Sequence, residues 1–232
     1  GGLGTLTLSP GAGVSNMFYA LKAATGTVHV ADGIHLITQA GSSPENGPAF
    51  WVSGGTLVMG GGLLKTTGGA YARVSEYGTL LITNGVVDLS GNAELLNGHN
   101  TPGVTTVEGN GFLEVQGLRI SQNTYPASQT VININKGGTI KLNNFGLDAG
   151  SLRNGTVNFN GGKIIARITN QVDMLGTTST NWRNIVVNVL PGGAIIDCNV
   201  IGRLVMRQNM LGSPNDGGLT KLDMLDGSIV KR

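Results

Sequence analysis

Residues 78–89 read GTLLITNGVVDL, and the fold follows from how that stretch recurs along the chain. Leu80 and Ile82 alternate with Thr79 and Leu81, the period of a strand with one buried face. The same phrase, Gly-Thr-apolar-x-apolar, stands at 4–8 (GTLTL), 26–30 (GTVHV), 55–59 (GTLVM), 138–142 (GTIKL) and 155–159 (GTVNF), with a variant GFLEV at 111–115. From residue 26 onward its third position holds Val28, Leu57, Leu80, Leu113, Ile140 and Val157. Its fifth holds Val30, Met59, Ile82, Val115, Leu142 and Phe159. All are apolar, whereas the fourth is mixed: His29, Val58, Leu81, Glu114, Lys141 and Asn158. The spacing predicts half-buried strands with the third and fifth positions in a core.

A second glycine follows after seven residues in four of these phrases, at Gly33, Gly62, Gly85 and Gly162. Gly117 comes one residue early and Gly146 one late. Short apolar runs follow most of them, such as GIHLI (33–37), GVVDL (85–89), GLRI (117–120) and GKII (162–165). Glycine at such an offset is read as the left-handed residue of a sharp corner. A third run often precedes the phrase: AFWV (49–52), TVININ (130–135) and NIVVNV (184–189). One repeat therefore reads strand, corner, strand, corner, strand, loop. Successive phrases are 29, 23, 33, 27 and 17 residues apart. An invariant phrase at variable steps suits a solenoid whose loops absorb extra residues. The short last step predicts that the phrase at 155 lies on a different face of its coil. About eight coils stacked ~4.8 Å apart make a rod on the order of 40 Å long.

Composition agrees. Glycine supplies 39 of 232 residues and charged residues only 12%, against usual shares near 7% and 25%. Hydrophobic residues, at 40%, are enough for a core. Lys plus Arg number 15 and Asp plus Glu 13, with no dense basic stretch, so nucleic acid is not an expected partner. No run reaches the 18 apolar residues of a membrane span, so membrane insertion by this chain is not expected either. The lone Cys198 argues against a disulfide-stapled scaffold but not against secretion. The start at Gly1, without methionine or signal peptide, reads as a processed product or an excised piece.

Residues 15–39, SNMFYALKAATGTVHVADGIHLITQ, open with a predicted short helix at 15–24. Ser15 or Asn16 caps it, and Met17, Phe18, Leu21 and Ala24 lie on one side. Such a helix would cover the open end of a stacked core. This stretch resembles the opening of the pectin-lyase-like right-handed parallel β-helix superfamily. There "A-L-x-x-A" leads, after a short gap, into "G-x-V-x-V-x-x-G-x-Y-x-[IL]". Ala20, Leu21, Ala24, Gly26, Val28, Val30, Gly33 and Ile37 stand in comparable places, with His35 where an aromatic is usual. At the tail, GGLTKL (217–222) and GSIV (227–230) are similar to the repeat of autotransporter passengers, and the opening GGLGTLTLS to its other half. The residues between, 223–226, depart from it. The expected fold is all-β, a right-handed parallel β-helix with a short N-terminal capping helix, as one domain over 1–232. Coils span 26–200, and 201–232 form a last coil or cap.

The resemblance implies a fold that hosts lyases, hydrolases, adhesins and phage spikes. Family lyases bind calcium through clustered acids and use a Lys or Arg to take a proton beside a uronate carboxylate. Calcium wants six to eight oxygens, and the thirteen acids here are scattered with no adjacent Asp pair. The best enzymatic set is Asp88, Arg119 and Asp148, with calcium expected only under that reading and no cofactor otherwise. Paired carboxylates for hydrolysis would need to lie roughly 5–9.5 Å apart. Glu114 and Lys141 read as a surface ion pair worth under about 1 kcal/mol. His29, His35 and His99 lack metal-ligand spacing; His29 and His35 could share a coil but read first as exposed strand residues. Cys198 reads as a small buried apolar residue. Trp51 and Trp182 are either sugar platforms or, in the preferred reading, partly buried strand flanks. Polar loops at 97–103, 121–129 and 177–181 are places for binding. Asn133, Asn135, Asn143, Asn144, Asn154, Asn158 and Asn160 crowd one region, read first as an internal or corner asparagine ladder and second as a ligand contact.

The functional expectation is a noncatalytic secreted or cell-surface β-helix with a structural, adhesive or self-assembling role. The alternative is a lyase or hydrolase of acidic polysaccharide. Expected partners are a glycan or surface ligand and, through the end coils, further copies stacked head to tail.

Overall fold

The computed structural model describes residues 4–8, 22–39, 48–67, 71–99, 101–120, 129–142, 147–148, 155–166, 172–174, 185–197, 204–206, 210–212 and 222–225. Nearly all of these are strand, paired in parallel between one coil and the next. The chain is a parallel β-solenoid.

One face is an eight-stranded sheet. In stacking order its strands are Thr27–Val30, Thr56–Met59, Gly78–Ile82, Gly103–Val107, Val131–Asn135, Gly155–Asn160, Ile185–Val189 and Met210–Gly212. A second face runs from Gly4–Leu8 through Ile34–Gln39, Leu63–Thr67, Val86–Asn97, Phe112–Ile120, Thr139–Leu142, Gly162–Ala166 and Ala194–Asp197 to Leu222–Leu225. The long strands Val86–Asn97 and Phe112–Ile120 carry a register shift between Leu89 and Glu94 and continue into a third, shorter face. There they pair with Tyr71–Ser75 and Leu147–Asp148, and Tyr71–Ser75 leads on to Trp51–Ser53 and Lys22–Ala23.

Alternation places the core where the spacing predicted. Leu57, Leu80, Ile82, Leu113, Val115, Ile140, Leu142, Val157 and Phe159 are all fully buried, and only Val28 of the predicted set is half-buried. In-register rows such as Val30, Met59, Ile82, Val107, Ile134, Phe159 and Val189 form one continuous apolar stack. Two polar insertions are satisfied inside it. Thr105 donates from Oγ1 to Asn97 Oδ1 at 2.9 Å, and Asn97 Nδ2 donates to the carbonyls of Gly103 and Val131. Thr38 and Thr66 share a buried hydroxyl hydrogen bond of 3.2 Å.

Three expectations change. The recurring phrase does not mark one face: those at 26, 55, 78 and 155 lie in the eight-stranded sheet, while those at 4, 111 and 138 lie in the second. The phrase at 155 does lie on a different face from the one at 138, as the short step predicted, but it shares that face with the phrases at 26, 55 and 78, and TVININ and NIVVNV are its neighbours. The helix predicted over 15–24 fails at its end, because Lys22–Ala23 is a strand paired with Trp51–Val52; residues 15–21 lie outside the described residues. Ladder pairing also begins before residue 26, with Gly4–Leu8 on Ile34–Thr38, while Leu222–Leu225 on Ala194–Asp197 agrees with a last coil.

At Gly78, Gly111 and Gly138 of the phrase, and at Gly103, the glycine has a steric cause. A Cβ on Gly78, Gly103, Gly111 or Gly138 would lie 2.2–2.4 Å from a backbone carbonyl oxygen of the preceding coil, and none of these four has a positive φ. Of the glycines seven residues on, Gly33 and Gly62 take the expected left-handed backbone, with φ of 77° and 63°, whereas Gly85 and Gly162 do not: there an added Cβ would crowd the carbonyls of Gly61 and Ile134.

Candidate functional site

The outward side chains of the three faces form three different surfaces. On the second face, Lys65, Asp88, Glu114 and Lys141 occupy consecutive rungs in register. Lys65 Nζ lies 3.1 Å from Asp88 Oδ2, and Lys141 pairs with Glu114 Oε1. Further along, Lys163 Nζ is 2.9 Å from Asp197 Oδ2. Burial works to raise the Asp88 pKa, but hydrogen bonds from Ser90 and the Lys65 ammonium outweigh it and hold the carboxyl below its ordinary value. Asp88 is therefore ionised and tied down, a poor proton donor. The Glu114–Lys141 pair expected from the sequence is present, with both side chains under one-fifth exposed.

The third face carries cations and aromatic rings. Lys22, Trp51, Arg73, Leu96, Arg119 and Asp148 follow one another in register. Lys22 Nζ sits 4.0 Å and Arg73 Cζ 4.5 Å from the Trp51 ring centroid, so cations pack against the indole. Trp51 Nε1 donates to Ser75 Oγ at 2.9 Å. This half-buried, cation-packed ring is not a bare sugar platform, as the preferred reading held. Arg119 Nε pairs with Glu94 Oε2 at 2.7 Å, and its guanidinium lies 6.0 Å from the Tyr71 ring.

Of the enzymatic set, Arg119 and Asp148 are neighbours in backbone register, but Asp88 belongs to the row of Lys65 and Glu114 on another face. Seven acidic side chains have a protein partner; nothing is described of the side chains of Asp148, Asp173 and Asp223. Asp32 accepts from Gly33 N, Glu76 from Ser53 Oγ and Glu108 from Asn135 Nδ2, and Asp88, Glu94, Glu114 and Asp197 form the four ion pairs above. Among the described residues no group of three or more His, Cys, Asp or Glu is placed to hold a metal ion. His29 is exposed, as expected, and His35 half-buried; His99, in the polar loop, is buried. Trp182, Cys198, and the loops at 121–128 and 177–181 lie outside the described residues.

The eight-stranded face bears the asparagines. Asn188 Nδ2 donates to Asn158 Oδ1 at 2.9 Å, Asn158 Nδ2 to Asn133 Oδ1 at 2.8 Å, and Asn133 Nδ2 to Thr106 Oγ1 at 3.1 Å. The ladder is on the outside, half-buried, and not internal. Asn135 and Asn160 stand in register two residues further on; Asn143, Asn144 and Asn154 lie outside the described residues.

Sequence reading did not single out the corner at Glu76 and Tyr77, where two non-glycine residues take φ of 54° and 64°. Tyr77 is 62% exposed. Glu76 N donates to Thr101 Oγ1 and Tyr77 N to the Pro102 carbonyl, which fixes the turn against the next coil. The Gly that follows was visible; the strain was not, since it depends on one residue more than the Gly54–Gly55 corner below. No protein-family model, curated protein or solved structure matches the chain.

Proposed function

We propose that this chain is a noncatalytic β-helix displayed outside the cell, as a secreted or surface-borne structural and adhesive module. The observation that carries the reading is the pairing of acids along the stack. Lys65–Asp88, Glu94–Arg119, Glu114–Lys141 and Lys163–Asp197 neutralise one another rung by rung. Acid–base catalysis needs carboxylates that converge on a substrate with separated proton affinities; here they are consumed in holding coils together. The likeness to pectin-lyase-like β-helices and autotransporter passengers rests on residues 15–39 and on the repeat, and supports the scaffold but no particular chemistry.

A calcium-supplemented assay on polygalacturonate at alkaline pH, following ultraviolet absorbance of unsaturated products, tests it. No turnover is expected. Robust turnover lost in Asp148→Ala overturns the reading in favour of a lyase. Self-assembly belongs to the same proposal. Among the described residues Thr27–Val30 and Met210–Gly212 end the eight-stranded sheet, and an end strand pairs readily with another chain. Head-to-tail stacking predicts filaments by electron microscopy at high concentration, and a monodisperse monomer there removes it.

A further inference from the structure

We propose that the asparagine ladder on the eight-stranded face is a binding surface for an uncharged, hydroxyl-rich polymer, a neutral polysaccharide. The inference rests on the adhesive reading above and assigns it a face and a ligand class. Asn133, Asn158 and Asn188 occupy three successive rungs in register and bond along the stack. A carboxamide has two N–H donors and two acceptor lone pairs. The ladder uses one donor from each amide and one acceptor from Asn133 and Asn158. The second N–H and the remaining lone pair of each rung are thus repeated at about 4.8 Å. Sugar hydroxyls, which donate and accept together, match such a comb. Beside it runs a row of β-branched residues, Val131, Thr156 and Val186, in register with one another and stiff at χ1. That row supplies a flat floor for the C–H faces of sugar rings.

Charge decides which polymer. The two outward rows, from Thr27 to Val186 and from His29 to Asn188, carry no Lys, Arg, Asp or Glu at any in-register position. The adjacent face carries Lys65, Asp88, Glu114 and Lys141. A polyanion finds no cation on the asparagine rows, whereas a neutral chain has no ionic hydration to lose there. The carboxylate at the margin, Glu108, already accepts from Asn135 Nδ2 at 2.9 Å. Because the amides are held by their own ladder, little side-chain freedom is lost on binding.

The test is retention of the full chain on microcrystalline cellulose, chitin beads and β-1,3-glucan beads, beside immobilised polygalacturonate, at low and high salt. Retention on at least one neutral matrix, insensitive to salt, is expected. Asn158→Val keeps a good strand former and should weaken retention about tenfold or more, the loss of about 1.4 kcal/mol, with the melting temperature within a few degrees of the parent. Asn158→Asp, nearly isosteric and charged, should weaken it likewise, and Lys65→Gln on the other face should leave it unchanged. No retention on any neutral matrix overturns the inference. So does retention indifferent to both Asn158 variants, or retention confined to polygalacturonate and lost in salt. Soluble sugar products assayed in the supernatants keep the two proposals apart: their release sinks the noncatalytic reading whatever the variants do, and failed binding without products sinks this inference alone.

Discussion

Adding one methyl group at Gly138 should destabilise the solenoid far more than adding it at Gly26, although Gly26 has the conformation that favours glycine. An ideal Cβ on Gly138 lies 2.2 Å from Val107 O, 2.4 Å from Val107 C and 2.6 Å from Glu108 N. Ordinary contact begins near 3.4 Å, and all three atoms are backbone. The rung must therefore retreat by about 1 Å, a fifth of the ~4.8 Å strand spacing. That movement disturbs two bonds between coils, Thr139 N to Gly111 O at 3.0 Å and Lys163 N to Gly138 O at 2.9 Å. Overpacking costs about 1–3 kcal/mol, and two weakened hydrogen bonds add about 1 kcal/mol each. Gly138→Ala is expected to lose roughly 3–5 kcal/mol. At Gly26, φ is 73° and nothing lies within 4 Å of the added atom. There the left-handed penalty of about 1–2 kcal/mol is partly offset by the stiffer unfolded chain, for a net loss near 1 kcal/mol. Urea unfolding followed by circular dichroism measures both, and the Gly138→Ala midpoint should fall by roughly 1 M or more. A Gly138→Ala protein as stable as Gly26→Ala would refute the steric account of Gly78, Gly111 and Gly138.

Leu80→Asp places a carboxylate between Leu57 and Thr105 in the stack, and a thermal melt should show loss of the cooperative transition. Thr105→Val makes the stack more apolar yet should lose about 1–3 kcal/mol, because Asn97 Oδ1 loses the hydroxyl donor at 2.9 Å; adding Asn97→Leu to that variant should recover part of it, read by urea midpoints. For Asp88, whose folded pKa is lowered, the sign is fixed. Its stabilisation is present above the unfolded value near 3.9 and disappears as pH falls through the folded value. Asp88→Asn should therefore flatten the acid limb of a stability–pH curve below about pH 4, and at neutral pH should lose under about 1 kcal/mol, since its partner Lys65 is 45% exposed. A steeper acid limb in the variant would contradict the pairing.

Why the core was legible and the surfaces were not comes down to register. Alternation is local: Ile132 and Ile134 around Asn133 are enough to say which side chains turn inward, and the buried stacks follow. The face to which a strand belongs is not local. A glycine is needed wherever a strand starts tight against the carbonyl below, at Gly78 in one sheet and at Gly138 in the other, so one phrase serves both. Asp88 looked like a partner for Arg119 because both follow a glycine corner. Instead it meets Lys65, 23 residues earlier in the chain, and Arg119 meets Glu94 across a register shift that no spacing announces. Trp51 is likewise packed by Lys22 and Arg73 from the coils on either side. In a solenoid each outward residue acquires its chemistry from residues one coil away, and loop length sets which residues those are. The asparagines were visible as a crowd; only stacking turned them into a ladder, which is why the function proposed for that face rests on register and not on composition.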